Sequence, residues 1–312
     1  MAVGSGLAAQ VGFIIETTSG VREAPTSFVE FNQESLSLSI ERIERRGLKA
    51  GRRTRHAWAV GTRQVSGQLN FDLSAETVGT LFKAALGSVS TTASGSGYLH
   101  TFTPGDLPSL SVQVGKPDVG GTVRPFDYVG CRVNSFELSA NPNEFATMQI
   151  DLVGEDELLD GTTATPTYSQ STFFTYVAGK LEIAGSETCI DTVTISGDNS
   201  LQVYHEICST KAGKPTIREA DYRDYSGTLQ ADFRDLTAYQ RYVNGDEATL
   251  TLEFDAGTNA KLTVTGNVRF DGETPTVSGP EIIKQPLSFV FVSGTSDAAT
   301  FTVTLDNTDA TV

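Results

Sequence analysis

The feature that most constrains this chain is the alternation of apolar and polar residues, repeated along most of its length. Ser35-Leu36-Ser37-Leu38-Ser39-Ile40-Glu41 alternates without a break, and so does Gln68-Leu69-Asn70-Phe71-Asp72-Leu73. Leu110-Ser111-Val112-Gln113-Val114 and Met148-Gln149-Ile150-Asp151-Leu152 follow. The second half has Leu250-Thr251-Leu252-Glu253-Phe254, Lys261-Leu262-Thr263-Val264-Thr265 and Phe301-Thr302-Val303-Thr304-Leu305. Successive strand side chains point to opposite faces, so each segment reads as a half-buried strand. Many such segments between Gly and Asn/Asp turns predict antiparallel sheets, packed as a sandwich or closed as a barrel. With 38% hydrophobic residues the chain can build a core, and general disorder is excluded. No apolar run approaches the ~18 residues of a membrane helix, so a helical span is excluded and no membrane partner is expected. The first charge is Glu16, with no basic segment before it, so a secretory signal is not expected.

Two short helices interrupt the strands. Ser74 is the expected cap of the first, with Val78, Leu81, Phe82 and Ala85 on one face and Gly87 past its end. Asp235 is the expected cap of the second, with Leu236, Tyr239 and Val243 as its apolar face and Gly245 as its stop. Helices this short do not persist alone, so each must dock on a sheet. They also expose a repeat. Val65-Ser66-Gly67-Gln68-Leu69-Asn70-Phe71-Asp72 precedes the first helix, and Tyr225-Ser226-Gly227-Thr228-Leu229-Gln230-Ala231-Asp232 precedes the second, at an offset of 160. Before each octet lie an alternating strand and a longer segment with Lys and Gly: Gly47-Leu48-Lys49-Ala50-Gly51 in one half, Lys211-Ala212-Gly213-Lys214 in the other. The expected organisation is an extended N-terminal arm (1–30), a first β domain (31–155), an exposed linker (156–172) and a second β domain (173–312). The arm, whose apolar cluster includes Phe13, Ile14 and Ile15, is expected to order only against a neighbour.

Signals for chemistry are sparse. Gly115-Lys116 and Gly213-Lys214 are each followed by Pro, where a phosphate loop needs Ser or Thr. Asp151, Glu155, Asp156 and Glu157 cluster, but at no calcium-loop spacing. Cys131, Cys189 and Cys208 form no disulfide framework, which fits synthesis in a reducing compartment. Cys189 and Cys208 have no zinc-ligand partners in sequence and read as buried small hydrophobes. No Gly-x-Ser-x-Gly elbow is present, and His205 reads as an ordinary strand histidine. No catalytic residue, cofactor or metal is assigned, and enzyme function is not expected.

Charge is more informative. Lys plus Arg is 23 and Asp plus Glu 38, a net of −15. Arg42, Arg45, Arg46, Lys49, Arg52, Arg53, Arg55 and Arg63 all fall within 22 positions, against Glu44 alone. The rest of the chain carries 15 basic and 37 acidic residues. This is an acidic body with one basic loop, anchored by Trp58. Such a loop binds either nucleic acid or the acidic surface of another copy of the same chain. The second is favoured, because every copy supplies both surfaces, and such head-to-tail contacts propagate into rings or filaments. Reversing Arg45, Arg46, Arg52 and Arg53 is expected to block stacking and leave the monomer folded.

In this setting the chain resembles the tail tube (major tail) proteins of long-tailed, siphovirus-like bacteriophages. The residues are Gly4-Ser5-Gly6-Leu7-Ala8-Ala9-Gln10-Val11-Gly12-Phe13, Phe28-Val29-Glu30-Phe31, Glu34-Ser35-Leu36, Ile40-Glu41-Arg42-Ile43-Glu44, Gly47-Leu48-Lys49-Ala50-Gly51-Arg52 and Val65-Ser66-Gly67. The match is dense over 4–87 and architectural beyond. The resemblance implies β-sandwich or barrel domains with a flanking helix, assembled as rings whose inner sheets line a channel. It implies stacking through the arm, the long loops and the C-terminal region, and contacts with a tape-measure protein and with tail terminator and distal tail proteins. It places the protein in the virion tail after synthesis in the host bacterial cytoplasm. Two tube units per chain imply a trimeric ring with pseudo-sixfold symmetry, favoured over six chains. DNA passes through the lumen without specific binding, so an acidic wall is expected, with Glu137, Asp151 and Glu253 contributing. The alternative is a carbohydrate- or receptor-binding β-sandwich of a phage tail or adhesin, for which one Trp and scattered Tyr offer no aromatic platform.

Overall fold

The computed structural model describes residues 5–54, 57–168, 172–233, 236–272, 279–280, 282–292 and 300–312. The chain is mainly β, with 56% strand against 7% helix. The strands of the first half are β1 (Gln10–Ile15), β2 (Ser27–Val29), β3 (Gln33–Glu34), β4 (Ser37–Glu44), β5 (Trp58–Asp72), β6 (Gly87–Ser94), β7 (Gly97–Pro104), β8 (Leu110–Pro117), β9 (Val123–Ala140), β10 (Thr147–Gly154) and β11 (Asp156–Leu158). Those of the second half are β12 (Gly179–Ile183), β13 (Ser186–Glu187), β14 (Thr192–Asp198), β15 (Leu201–Tyr204), β16 (Thr216–Glu219), β17 (Asp224–Asp232), β18 (Glu247–Asp255), β19 (Lys261–Gly272), β20 (Lys284–Phe291) and β21 (Phe301–Asn307). Helix α1 is Gly79–Leu86 and α2 is Thr237–Asn244.

One antiparallel run dominates: β4, β5, β10, β9, β14, β17, β20 and β19 pair in that spatial order. Its apolar face carries Leu69, Phe71, Ile150, Leu138, Ile195, Leu229, Phe289 and Phe270, all buried. Alternation puts these residues on one side and their neighbours on the other. The long strands β9 and β19 continue out of this sheet. The first part of β9 pairs with β8 and β11, and that of β19 with β18 and β21.

The same pairings recur in both halves. β1 with β2 and β8, β5 with β4 and β10, and β9 with β8, β10 and β11 form the first set. β12 with β13 and β18, β17 with β14 and β20, and β19 with β18, β20 and β21 form the second. The first set starts at Gln10, not near residue 31. Residues 10–15, expected in an extended arm, lie as β1 between β2 and β8, with Val11 and Phe13 fully buried. Their partner β8 lies about a hundred positions away in the chain, which is why sequence offered no partner. The expected linker differs too: 156–158 is β11, and 162–164 hydrogen-bond to Gln10, Gln113 and Val123.

Helix α1 buries Leu81, Phe82, Ala84 and Ala85 and ends at Gly87, whose φ of +103° suits glycine. Ser74 does not cap it. The helix begins five residues later, because 73–75 are held by Ala146 and Thr172 through backbone bonds, and the Ser74 hydroxyl donates to Glu76 O. Helix α2 stops at Gly245 (φ +70°), with Asp235 outside the described residues. Leu236 and Val243, expected to dock, are exposed. Two side chains that no pattern marked tie the halves together. His100 on β7, fully buried, contacts Thr91 Oγ1, Asn307 Oδ1 and Asp309 O. Asn199, also buried, donates to Ala85 O and Val133 O.

Candidate functional site: an acid-rich sheet face and a basic hairpin

Cross-strand partners share a face, so the registers draw rows across the long sheet. One row reads Asn70, Gln149, Glu137, Ser196, Ser226, Val290, Arg269. The next reads Gln68, Asp151, Ser135, Asp198, Asp224. On the other side lies Asp72, Thr147, Ser139, Thr194, Thr228, Ser288, Asp271. The middle of this polar face is a groove of about 390 Å³, lined by Glu137, Gln149, Asp151, Asp198, Asp224 and serines. Ser135 Oγ donates to Asp151 at 2.7 Å. Among the described residues, cations stand only towards the margins. Arg132 follows the Asp151 row, and Lys284 Nζ lies 2.6 Å from both Asp191 and Asp232, whose hydrogen bonds raise its pKa.

Glu137 and Asp151, two of the three expected wall acids, are thus brought together. Glu253 is not: it sits on β18 opposite Thr263, six positions along β19 from the Arg269 row, and pairs with Lys261 at 2.8 Å. The alternation that marks its strand is genuine, but it does not say where along the sheet the strand lies.

The basic segment is a hairpin extension of β4 and β5. Every described residue from Ile40 to Thr54 is exposed, including Arg45, Arg46, Lys49, Arg52 and Arg53; Arg55 lies outside the described residues. The Arg42 guanidinium stacks 5.4 Å from the Trp58 ring, which is 65% exposed. Phe13 is withdrawn as a contact candidate, since it is sealed in the chain's own core, and Ile14 and Ile15 are half-buried in β1. Cys189 and Cys208 are exposed, and only Cys131 is buried. Both exposed thiols lie in loops between strands, outside the alternating pattern, and the hydrogen bond from Thr210 lowers the Cys208 pKa. Among the described residues no three His, Cys, Asp or Glu side chains gather as a metal site.

At the base of the hairpin sits a latch that sequence did not reveal. Asp156, 3% exposed, receives Arg63 at 3.1 Å and Lys214 at 3.0 Å. Burial pushes its carboxyl pKa up, but the Lys214 and Arg63 hydrogen bonds outweigh it and the net shift is downward. A depressed folded pKa adds stability that is full above the unfolded value of about 3.9 and fades as pH falls through the folded one. Asp156→Asn is expected to cost about 1.5–3 kcal/mol at pH 7, discounted because both cations are about a third exposed. The gap to the unsubstituted chain should close below about pH 4 in denaturant titrations. A gap that stays constant from pH 7 to pH 3 would reject the latch.

A chain with one long sheet, apolar on one side and acid-rich on the other, belongs to the class of mainly β proteins. The family model of the phage tail tube protein matches residues 6–291, and the chain belongs to that family. It is a structural protein of the phage tail. No curated protein matches the chain.

Proposed function

We propose that copies of this chain close into rings that stack into a hollow tube, and that the acid-rich face lines the channel through which DNA passes into the host cell. The two sets of pairings support reading the chain as two tube units. Three chains then supply six units, so a trimeric ring with pseudo-sixfold symmetry is favoured over a ring of six chains. The observation that carries this is an asymmetry between counterpart strands. β14 pairs on both sides, with β17 and, across the junction of the halves, with β9. Its counterpart β4 pairs with β5 alone among the described residues. The free edge of β4 is thus offered to another copy, as the β14 edge is offered to β9. Joining edges this way removes exposed strand edges and makes one continuous wall. The wall's carboxylates repel phosphates, so DNA moves without the counterion-release attraction that a basic wall would create. A tape-measure protein fills the channel before DNA does, and terminator and distal tail proteins close the ends.

Electron microscopy of the purified protein tests this. Long hollow tubes with a six-lobed end-on view are expected. A chain that stays monomeric at every concentration and salt, or that binds glycans as a monomer, would overturn the reading.

A further inference from the structure

We propose that the 49–52 turn of one chain docks in the groove beside Arg223 of a neighbouring copy, reproducing between chains a contact that exists within each chain. The proposal rests on the ring reading above and names the contact made by its basic hairpin. Lys49-Ala50-Gly51-Arg52 and Lys211-Ala212-Gly213-Lys214 occupy the same place in their halves, between an alternating strand and the repeated octet. They share a closing hydrogen bond and a glycine at the third position, although Ala212 is left-handed (φ +48°) and Ala50 is not. The Arg52 N–H donates to Lys49 O at 3.1 Å, and the Lys214 N–H to Lys211 O at 2.9 Å. Gly51 (φ +79°) and Gly213 (φ +83°) take the left-handed position that favours glycine.

Their surroundings differ. The 211–214 turn rests on residues 61–63: Gly213 O accepts from the Arg63 N–H at 3.0 Å, and Lys214 reaches Asp156. The 49–52 turn bonds to no other segment among the described residues and is fully exposed. The octet offset carries 61–63 onto 221–223, and there lies a groove of about 470 Å³ lined by Asp106, Glu219, Asp221, Tyr222 and Arg223. Arg63 and Arg223 are counterparts, yet the Arg223 N–H has no partner among the described residues. Its guanidinium is held by Glu219, as that of Arg63 is held by Asp156. Two cations on the turn meet three carboxylates in the groove. Since β5, β10, β9 and β14 stand between β4 and β17, the occupant is a second copy. The turn therefore belongs to the lateral contact within a ring, not to stacking.

Cross-linking tests it. Ala50→Cys with Tyr222→Cys, in a chain carrying Cys189→Ser and Cys208→Ser, should give covalent multimers when tubes are oxidised, whereas each single cysteine variant should run as a monomer. Tubes without cross-linked multimers would overturn the docking and leave the ring reading intact; failure of the unsubstituted chain to form tubes would overturn the ring reading itself. Independently, Lys49→Glu with Arg52→Glu should raise the concentration needed for assembly about a hundredfold. Adding Asp106→Lys and Asp221→Lys to the same chain should recover most of it, because each contact then pairs opposite charges again. Unchanged assembly of the first variant, or no recovery in the second, would count against the groove.

Discussion

Leu38→Pro is expected to abolish tube growth while leaving the monomer folded. Along an antiparallel strand, backbone donors alternate between the two edges. The Ser35 N–H donates to Gln68 O at 2.9 Å, so odd-numbered donors in this stretch face β5. Leu36 and Leu38 therefore direct their N–H groups outward, and Glu34 Oε2 already accepts the first at 3.1 Å. At the counterpart edge, just past β14, the Asn199 N–H donates to Asn134 O at 2.7 Å, which continues the register by which β14 meets β9. Proline at 38 deletes an outward donor and places its ring where the neighbouring strand must lie, without removing a β4–β5 hydrogen bond. Leu38 is half-buried, so the lost packing costs about 1–2 kcal/mol, which a domain stable by about 5–15 kcal/mol survives. Negative-stain images should show no tubes at protein concentrations about a hundredfold above those that suffice for the unsubstituted chain, which corresponds to under 3 kcal/mol per contact. Thermal melts should fall by only a few degrees. Normal tubes from this variant would show that the β4 edge is not the joining edge.

Alternation made much of this legible in advance. In Gln68-Leu69-Asn70-Phe71-Asp72 it separates the buried Leu69 and Phe71 from the polar face, and it places Glu137 and Asp151 on that face. The octet offset of 160 is also a property of the fold, since β5 and β17 make equivalent pairings. Long-range choices were not legible. Val11 and Phe13 look like any short apolar cluster until β8 lies beside them. Ser74 has the chemistry of a cap, but backbone bonds to Ala146 and Thr172 hold its neighbours. The Arg63, Asp156 and Lys214 cluster needs three segments to meet, and no local pattern encodes it. Glu253 shows the limit from another side, because periodicity fixes which face a residue takes but not its place along the sheet.

The acid-rich face leads to the second large effect. In the proposed tube, Glu137→Lys, Asp151→Lys, Asp198→Lys and Asp224→Lys would turn four carboxylates around one groove into four cations, repeated in every chain of every ring. None of these four side chains belongs to the core, and the hydrogen bonds lost are those from Ser135 to Asp151 and from the Ser200 N–H to Asp198, each 2.7 Å. Assembly should therefore survive, with repulsion among like charges lowered by salt. DNA would meet a different wall. Short duplexes should not be retained by unsubstituted tubes at any salt concentration. The variant should retain them at low salt and lose about a thousandfold in affinity between 50 and 200 mM, the slope expected when several phosphates displace counterions. Phage carrying the variant should adsorb normally but deliver their genomes slowly, because every phosphate that binds the wall must be released before the next advance. If variant tubes assemble and still do not retain DNA at low salt, the acid-rich face does not line the channel, and the polar surface inside the tube must be sought on the strands around Glu253 instead.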